Sequence, residues 1–558
     1  MKTATEFTVE DLGTSSEASS GFGRFVKRLQ VKDHSDSRRS NRDLDPVPPE
    51  KQTWSALDYI SYWISDNFTP GGWRNASSIM EVGLSWKLAL VNIAISQLII
   101  GVVVTLNGFI GAKYRIPFSV ISRASYGYYF SYLMILMRCI VGIFWYGIST
   151  YTGAECVRSM IYAIWPSFRH LKNTLPESAN INTQFMTAYV VYYISIMPLH
   201  YIPIHRIRWL FTVKAIALPI IGFAIMGWTI KNAGVGNNSL WNQGNTVHGS
   251  ELSWVFMSCL YANLGSWATL AINSPDFTRY TVRPRNTYTM AIALPFTASL
   301  VAFFGVVGAA GSKVLYNTIL WDPLLFIDEW TSKSGRAAAF FCAAGFYLAQ
   351  ACSNVSANSI SAANDLNCMF PKYINIRRGQ FIVSILGAWV LTPWNILTSA
   401  GAFLSFMSGY TVWLAPICGI MLSDFYFVHK RKYNVWELYK NDGIYSYNKY
   451  GINWRAFVAF FCGWVPLLPG FLPTVNSSIH VPVGVKRFYY CGYFYGLFAP
   501  MLVYFALCSI WPAKETIVDV AVYPTQVFEI HDIEEFIGQG SDEIADTGDS
   551  DSYGEKSK

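Results

Sequence analysis

Residues 260–280 read Leu-Tyr-Ala-Asn-Leu-Gly-Ser-Trp-Ala-Thr-Leu-Ala-Ile-Asn-Ser-Pro-Asp-Phe-Thr-Arg-Tyr, and no other part of the chain constrains its architecture as strongly. The stretch is apolar enough to enter a bilayer, yet Gly265 and Ser266 stand beside Trp267 in its middle. A helix that ends there frees backbone polar groups at membrane depth, which is tolerated only where the chain lines a cavity or is covered by protein. The stretch therefore predicts an interrupted transmembrane segment beside a cavity.

A second segment of the same kind lies near the start of the chain. Thr69-Pro70-Gly71-Gly72-Trp73 divides the hydrophobic run that begins around Trp54. Two interrupted segments in corresponding positions of two halves are the sequence pointer to the binding site of a transporter. The pair therefore predicts a substrate site between the two interruptions.

The composition is that of a membrane protein. Of 558 residues, 52% are hydrophobic and only 14% are charged. Repeated apolar runs of about 20 residues are each long enough to cross ~30 Å of hydrocarbon. The net charge is +7, and the basic residues lie in short links between these runs. This pattern is typical of residues that set the orientation of membrane spans, and it does not favour nucleic-acid binding. The ten cysteines lack paired metal-ligand spacing, so we expect them to pack between helices and predict no metal site.

Hydropathy divides the chain into a cytoplasmic tail (1–50), a transmembrane domain (51–511) and an acidic cytoplasmic tail (512–558), and both tails are predicted to be disordered. Basic links after every second span place both termini in the cytoplasm, and the polar first 50 residues offer no cleavable signal peptide. The predicted spans, with uncertain ends, are 55–82, 87–110, 129–160, 183–203, 209–231, 252–273, 287–311, 337–362, 379–396, 399–428, 454–474 and 488–511.

Each tail leaves two alternatives open. The basic N-terminal tail could lie against an anionic membrane leaflet, or it could be fully solvated. The acidic C-terminal tail is either a solvated run or a docking segment for ubiquitin and the endocytic machinery.

The third span carries a candidate platform for a planar ligand. Trp145 and Ser149 stand one helical turn apart and share a face. An indole beside a hydroxyl suits a heterocycle, which needs stacking for its ring and hydrogen bonds for its edge. Core packing is the alternative for Trp145, but Trp267 offers a second indole, so two aromatic faces could clasp one ring.

Polar residues of the eighth and first spans are further candidates. Asn354, Asn358 and Ser361 recur at helical spacing in the eighth span, where they serve either interhelical hydrogen bonding or a ligand's amide edge. In the first span Asp66 precedes the interruption and Arg74 follows it. These residues either form an ion pair with each other or include a proton carrier, and the sequence leaves both alternatives open.

Several separated motifs resemble one known family. They are Gly-Ala-Lys-Tyr-Arg-Ile-Pro-Phe-Ser-Val at 111–120, Arg-Ala-Ser-Tyr-Gly at 123–127 and Asn-Ser-Pro-Asp-Phe-Thr-Arg at 273–279. They are similar to the nucleobase cation symporter family 1. Leu-Asp-Pro-Val-Pro at 44–48 and Asn-Ser-Ile-Ser-Ala-Ala-Asn-Asp-Leu at 358–366 resemble its fungal uracil, allantoin and uridine permease branch. The resemblance covers about residues 40–510.

The resemblance implies an all-α membrane protein with a LeuT-like fold. Two inverted repeats of five helices, about 55–231 and 252–428, would be followed by two extra helices at about 454–511, with helices 1 and 6 broken. The substrate would sit between spans one, three, six and eight. By motif, its residues would be the stacking Trp145 and Trp267, the edge-binding Asn358, and Thr69, Ser149 and Ser266.

Cation coupling follows from the same resemblance. Sodium-coupled bacterial members of the family place a cation near positions that match Ser65, Phe68, Ala349, Cys352 and Ser353. Cys352 replaces a hydroxyl ligand there, and sulfur is a poor ligand for hard Na⁺. We therefore expect the proton coupling usual in the fungal branch, with Asp66 as the carrier and no other cofactor.

Two further positions bear on the substrate and its access. Ser149 stands where many relatives carry Gln, so a ligand larger than uracil, such as a nucleoside or allantoin, could use the space. Phe406 and Met407 in span ten could form a thin gate by analogy with the family, and ordinary packing is the alternative.

The sequence thus predicts a proton symporter in the plasma membrane that imports a planar nitrogen heterocycle by alternating access. Its partners would be this small molecule and membrane lipid. Thiamine or nicotinamide riboside is an alternative substrate, and a nutrient receptor built like a transporter is an alternative function. We do not expect an enzyme, because no metal cluster, nucleophile elbow or phosphate loop is present in the sequence.

Overall fold

The computed structural model describes residues 40, 43–202, 204–235, 239–440 and 442–524, with only the backbone described for 204–212. Most of both predicted tails lies outside these residues. Throughout the described chain the secondary structure is helical, and extended pairing is limited to isolated bridges between Trp54 and Thr281 and between Asn434 and Val522.

The α-helices of the first half are α1 (Ala56–Asn67), α2 (Pro70–Glu81), α3 (Trp86–Tyr114), α4 (Phe118–Tyr126), α5 (Tyr128–Ile164), α6 (Thr183–Ile196) and α7 (Ile204–Ala233). The next are α8 (Gly249–Gly265), α9 (Ala268–Asn273), α10 (Pro275–Thr278), α11 (Met290–Tyr316), α12 (Pro323–Asp328), α13 (Lys333–Ser353), α14 (Ile360–Met369) and α15 (Ile376–Ile385). The last are α16 (Ala400–Ser423), α17 (Trp454–Trp464), α18 (Leu468–Val475), α19 (Val483–Tyr490) and α20 (Gly492–Ile510). Single π-helical turns follow α13, α15 and α16 at Asn354–Ser359, Leu386–Val390 and Asp424–Val428.

The backbone leaves helical geometry between α1 and α2 for local reasons. Thr69 has an extended backbone and caps α2, since its hydroxyl accepts a hydrogen bond from the Gly72 backbone N–H at 3.2 Å. Pro70 occupies the first turn, where its missing N–H costs nothing. A Cβ at Gly72 would overlap the carbonyl oxygen of Asn67, so glycine is required at this close approach.

The corresponding change between α8 and α9 lies at Ser266 and Trp267. Trp267 leaves the helical region, with φ −113° and ψ 8°. The Tyr410 hydroxyl of α16 donates to the Gly265 carbonyl oxygen at 2.6 Å. A backbone acceptor at the end of α8 is thus satisfied by a neighbouring helix, as the interior of a membrane requires.

We expect Gly265→Ala to destabilise the protein, because a Cβ there would overlap the backbone carbonyl oxygen of Met407. Backbone cannot move aside as a flexible side chain can, and overpacking of this kind costs about 1–3 kcal/mol. Thermal unfolding of the purified protein in detergent measures the effect. Gly227→Ala is the matched control, since nothing lies within 4 Å of its added Cβ. Equal midpoints for the two variants would contradict the prediction.

Long continuous helices hold the short ones in place. α11 packs against α1, α2, α3 and α7, whereas α5 packs against α6, α13 and α14. α8 and α9 both pack against α3 and α16. Each half of an interrupted segment therefore rests on a longer helix.

Eight helices of the described chain are long and apolar enough to cross a membrane: Trp86–Tyr114, Tyr128–Ile164, Val213–Ala233, Pro284–Tyr316, Lys333–Met369, Ala400–Val428, Trp454–Val475 and Gly492–Ile510. Predicted spans one, four, six and nine are not among them. The residues of predicted spans one and six lie in the short helices α1 and α2 and in α8 and α9, while α6 has 14 residues and α15 has 10. The count of twelve spans stays a prediction.

The packed part of the chain extends beyond the predicted limits of 51 and 511. Leu44 and Val47 are buried, and the Val47 N–H donates to the Arg115 carbonyl oxygen at 2.9 Å. At the other end Thr516 is buried and its hydroxyl lies 3.1 Å from Nε2 of His429. These buried side chains and hydrogen bonds attach both flanking segments to the helical domain.

Candidate functional site

A cavity of about 120 Å³ is lined by residues from both interruptions, from α5, from the end of α13 and its π-helical turn, and from α16. A cavity of about 150 Å³ in another protein admits benzene, so the space is of the size that takes one small ring. All the predicted substrate residues line it, namely Thr69, Trp145, Ser149, Ser266, Trp267 and Asn358. Tertiary folding thus brings together residues up to 289 positions apart along the sequence.

Asn358 is held in one orientation by three acceptors. Its Nδ2 donates to the Ser149 hydroxyl at 2.9 Å, to the Asn354 amide oxygen at 3.2 Å and to the Trp145 carbonyl oxygen at 3.3 Å. Its own amide oxygen has no partner among the described residues. Asn358 therefore presents an acceptor to the cavity, and a ligand would meet it with an N–H or O–H group.

Asn354, one turn earlier, has the packing role that the sequence left as an alternative. Its Nδ2 donates to the Thr150 hydroxyl at 3.1 Å and to the Tyr146 carbonyl oxygen at 3.3 Å. The side chain is fully buried and does not line the cavity. Asn354 fastens the π-helical turn to α5, which positions Asn358 beside Ser149.

The two indoles are supported along their edges. The Trp267 ring meets Trp63 at 5.2 Å between centroids and an interplanar angle of 88°, and Trp145 meets Phe406 at 5.9 Å and 69°. Both rings are half-buried and line the same cavity, and no ring contact joins them. Neither indole N–H has a hydrogen-bond partner in the described part of the chain. The pair can thus offer stacking area to a planar guest.

The predicted gate residues lie next to the site without lining it. Phe406 packs on Trp145, while Met407 is fully buried beneath Gly265. Phe403, one turn earlier on α16, does line the cavity and stacks on Trp321 at 6.1 Å. The sequence did not single out Phe403, since nothing distinguishes it from other aromatic residues of an apolar helix.

Among the predicted cation residues, Ser353 lines the cavity together with Asp66. Phe68, Ala349 and Cys352 are buried, and so is Ser65, whose hydroxyl lacks a hydrogen-bond partner among the described residues.

Lys214 is an unexpected member of this region. It lies on α7, is fully buried, and its Nζ donates to the Ser353 hydroxyl at 2.6 Å. Ser353 is one of the residues that the family resemblance predicts to bind a cation, and here it contacts the ammonium group of Lys214 instead. A lysine isolated in the apolar run of predicted span five was the available signal, because ionisable residues at membrane depth are functional candidates by default.

Arg74 also lines the cavity and forms ion pairs with Glu155 and Asp322. Of the roles that the sequence left open for Arg74, the structure shows ion pairing, with partners that are distant in the sequence and outside the first span.

Comparison with known proteins identifies relatives along nearly the whole chain. Residues 46–496 match the family model described as permease for cytosine/purines, uracil, thiamine and allantoin. An uncharacterised permease of Schizosaccharomyces pombe is 43% identical over 90% of this chain and 89% of its own. The allantoin permease of Saccharomyces cerevisiae is 34% identical over 85% of this chain and 76% of its own, and the uracil permease of that yeast is 32% identical over 86% and 77%.

Solved structures agree with this fold. The inward-facing form of Mhp1 aligns with a TM-score of 0.67 at 18% identity, covering 88% of this chain and all of Mhp1. Mhp1 with bromovinylhydantoin bound, described as a nucleobase-cation-symport-1 family transporter in a closed conformation, aligns with a TM-score of 0.68 at 20% identity, covering 86% of this chain and 96% of its own. The fold is therefore the LeuT-like fold of Mhp1, and the matched family model and the curated relatives describe permeases rather than enzymes. The chain belongs to the family of permeases for cytosine/purines, uracil, thiamine and allantoin, the nucleobase cation symporter family 1.

Proposed function

We propose that the protein imports a planar nitrogen heterocycle of the uracil, allantoin or uridine class together with a proton, by alternating access around the two interrupted segments. The observation that supports this most is the cavity itself. It joins Trp145, Trp267 and the fixed amide of Asn358 at the two places where the chain leaves helical geometry.

The proposal includes the predicted membrane topology. Twelve spans would cross the plasma membrane as two inverted repeats of five and two extra helices, with both termini in the cytoplasm. Spans one and six would each be broken, as α1 with α2 and α8 with α9. Basic links after every second span support this orientation.

The polar groups favour a ligand that carries an N–H next to a carbonyl. The Asn358 amide oxygen accepts, whereas the Ser149 hydroxyl already accepts from Asn358 and keeps its own proton to donate. An amide or imide edge presents one donor and one acceptor side by side. Uracil, allantoin and uridine all contain such an edge.

The surroundings of Lys214 support proton coupling over sodium coupling. An ammonium group already bonds the Ser353 hydroxyl, and a sodium ion beside it would place two like charges close together in a medium of low dielectric constant. Cys352 is in addition a soft ligand. Asp66 is the proposed proton carrier, since it lines the cavity and its Oδ2 has no hydrogen-bond partner among the described residues.

Uptake of radiolabelled uracil, allantoin, uridine, thiamine and nicotinamide riboside tests the proposal in cells that carry the protein at their surface. We expect accumulation of one of the first three compounds, abolished by a protonophore and unchanged when sodium is replaced. Accumulation of only thiamine or nicotinamide riboside would replace the proposed substrate class. Binding without accumulation would indicate a receptor and overturn the proposal.

A further inference from the structure

Arg74, Glu155 and Asp322 form a buried triad that we call the ion triad. Arg74 belongs to α2, Glu155 to α5, and Asp322 caps α12. Nη2 of Arg74 contacts both Oε2 of Glu155 and Oδ2 of Asp322. The three side chains are only 2%, 6% and 3% exposed. Three separate elements are thus tied together at a single guanidinium.

The ion triad contains one more acid than base. Both carboxylates bind the same nitrogen, so their oxygens are near neighbours, while Nε of the same guanidinium has no acceptor among the described residues. Two carboxylates that share one site cannot both ionise easily in a buried environment. A proton on one of them removes the repulsion and leaves a neutral cluster.

Charged and titratable neighbours do not supply the missing positive charge. Arg158, on α5 like Glu155, has its own acid, with Nη2 3.5 Å from Oδ2 of Asp328. Arg169 donates to the Asp328 carbonyl oxygen and is partly exposed, so water screens its charge. Tyr151 and Cys156, also on α5, are the other titratable groups that act on Glu155, and neither is a cation.

The two acids differ in their other partners. Oδ1 of Asp322 accepts a hydrogen bond from the Leu324 backbone N–H at 2.9 Å, which stabilises its ionised form. For Glu155 the one hydrogen bond found within the described part of the chain comes from Arg74. The proton therefore belongs on Glu155, and the atom that carries it is a carboxyl oxygen facing the guanidinium.

The ion triad borders the candidate substrate site. Arg74 lines the cavity, and its Nη1 donates at 2.7 Å to the Thr152 hydroxyl, which lines it as well. Separating α2 from α5 would break these contacts and open this end of the cavity.

We propose that Glu155 is a proton-binding site distinct from Asp66, and that the ion triad closes this end of the cavity only when Glu155 is protonated. Loss of the proton leaves an unpaired buried carboxylate, which gains hydration when α2, α5 and Asp322 separate. This inference deepens the proposed function and rests on it for the role in transport. The proton site itself is testable without a substrate.

Thermal unfolding of the purified full-length protein, measured in detergent from pH 5 to pH 8, tests the site. Above the ordinary carboxyl pKa of about 4.3 the native state would hold one proton more than the unfolded state, so stability should fall as pH rises. One proton changes the unfolding constant by at most about tenfold per pH unit. We expect Glu155→Gln to lose this part of the slope, and Glu251→Gln, the matched control at an exposed position of α8, to keep it. A slope in Glu155→Gln equal to that of the unsubstituted protein would overturn the proposal.

A second measurement covers the case in which Glu155→Gln does not fold. Infrared difference spectra of the unsubstituted protein between pH 5 and pH 8 should contain the C=O band of a protonated carboxyl that shifts with carbon-13 glutamate. Glu155→Asp keeps an acid at this position, but the acid is no longer a glutamate. The C=O band of this variant should therefore not shift with carbon-13 glutamate. Absence of a label-sensitive band in the unsubstituted protein would overturn the site.

Transport provides the third readout. If the unsubstituted protein accumulates a compound of the panel, the uptake of Glu155→Gln should depend less on external pH than that of Glu251→Gln, whose side chain is exposed. An unchanged pH profile in Glu155→Gln would overturn the role in closure. If no compound accumulates, the proposed function fails, whereas unfolding and infrared data still decide the proton site.

Discussion

Arg74→Ala is expected to cost about 3–5 kcal/mol of folding free energy, which is the range for removing one partner of a buried ion pair. The substitution leaves Glu155 and Asp322 buried side by side without a counter-charge, and it removes the donor to Thr152. We expect little folded protein at the cell surface and a large fall in the unfolding midpoint of what can be purified. Fluorescence-detected size-exclusion chromatography after heating measures both effects.

The control for Arg74→Ala is an exposed pair. Lys440 Nζ lies 2.6 Å from Oε1 of Glu437, and the lysine side chain is 63% exposed. Exposed pairs are worth about 0–1 kcal/mol, so Lys440→Ala should leave the midpoint nearly unchanged. If the unfolding midpoint falls by a similar amount in both variants, the buried ion triad contributes no more to stability than an exposed ion pair.

Trp145→Ala should weaken the apparent affinity for the transported compound by roughly 5- to 150-fold. This range corresponds to about 1–3 kcal/mol for removing one aromatic ring that stacks on a base. The substitution deletes one wall of the cavity and leaves the Asn358 amide in place. Concentration-dependent uptake, normalised to protein at the cell surface, gives the change in KM.

Two further variants interpret the Trp145 result. Trp145→Phe keeps an aromatic face and should retain most of the affinity. Trp389→Ala removes an indole that packs on Tyr189 and Tyr193 away from the cavity, so KM should not change. If Trp145→Ala transports with unchanged KM, the ring is not part of the substrate site.

Local chemistry explains why so much of the candidate site could be assembled from the sequence. Pro70 and Gly72 mark a helix start by their own conformational limits, and Gly265 with Ser266 marks a helix end in the same way. Asn358 stands out because polar groups are costly in membrane spans and are retained there for a purpose. Trp145 stands out because it shares a helical face with Ser149. The family motifs then ordered these positions around one site.

Span counting shows the limit of hydropathy. An apolar run predicts that a segment lies in the membrane, but it does not predict how many residues remain helical. The run at 183–203 contains the 14 helical residues of α6, and the run at 379–396 contains α15 and a π-helical turn. Hydrogen bonding in these segments depends on neighbouring helices, which a local window does not contain.

The sequence by itself determined the membrane class, the family and the residues at which α2 starts and α8 ends, because each depends on residues close together in the chain. Only the tertiary structure placed Lys214 on Ser353, 139 positions away, and Arg74 on Asp322, 248 positions away. Charges buried in a membrane protein must find partners wherever the packing of helices offers them. No local periodicity encodes that choice, so the ionic part of the site was decided by the packing of helices distant in the sequence.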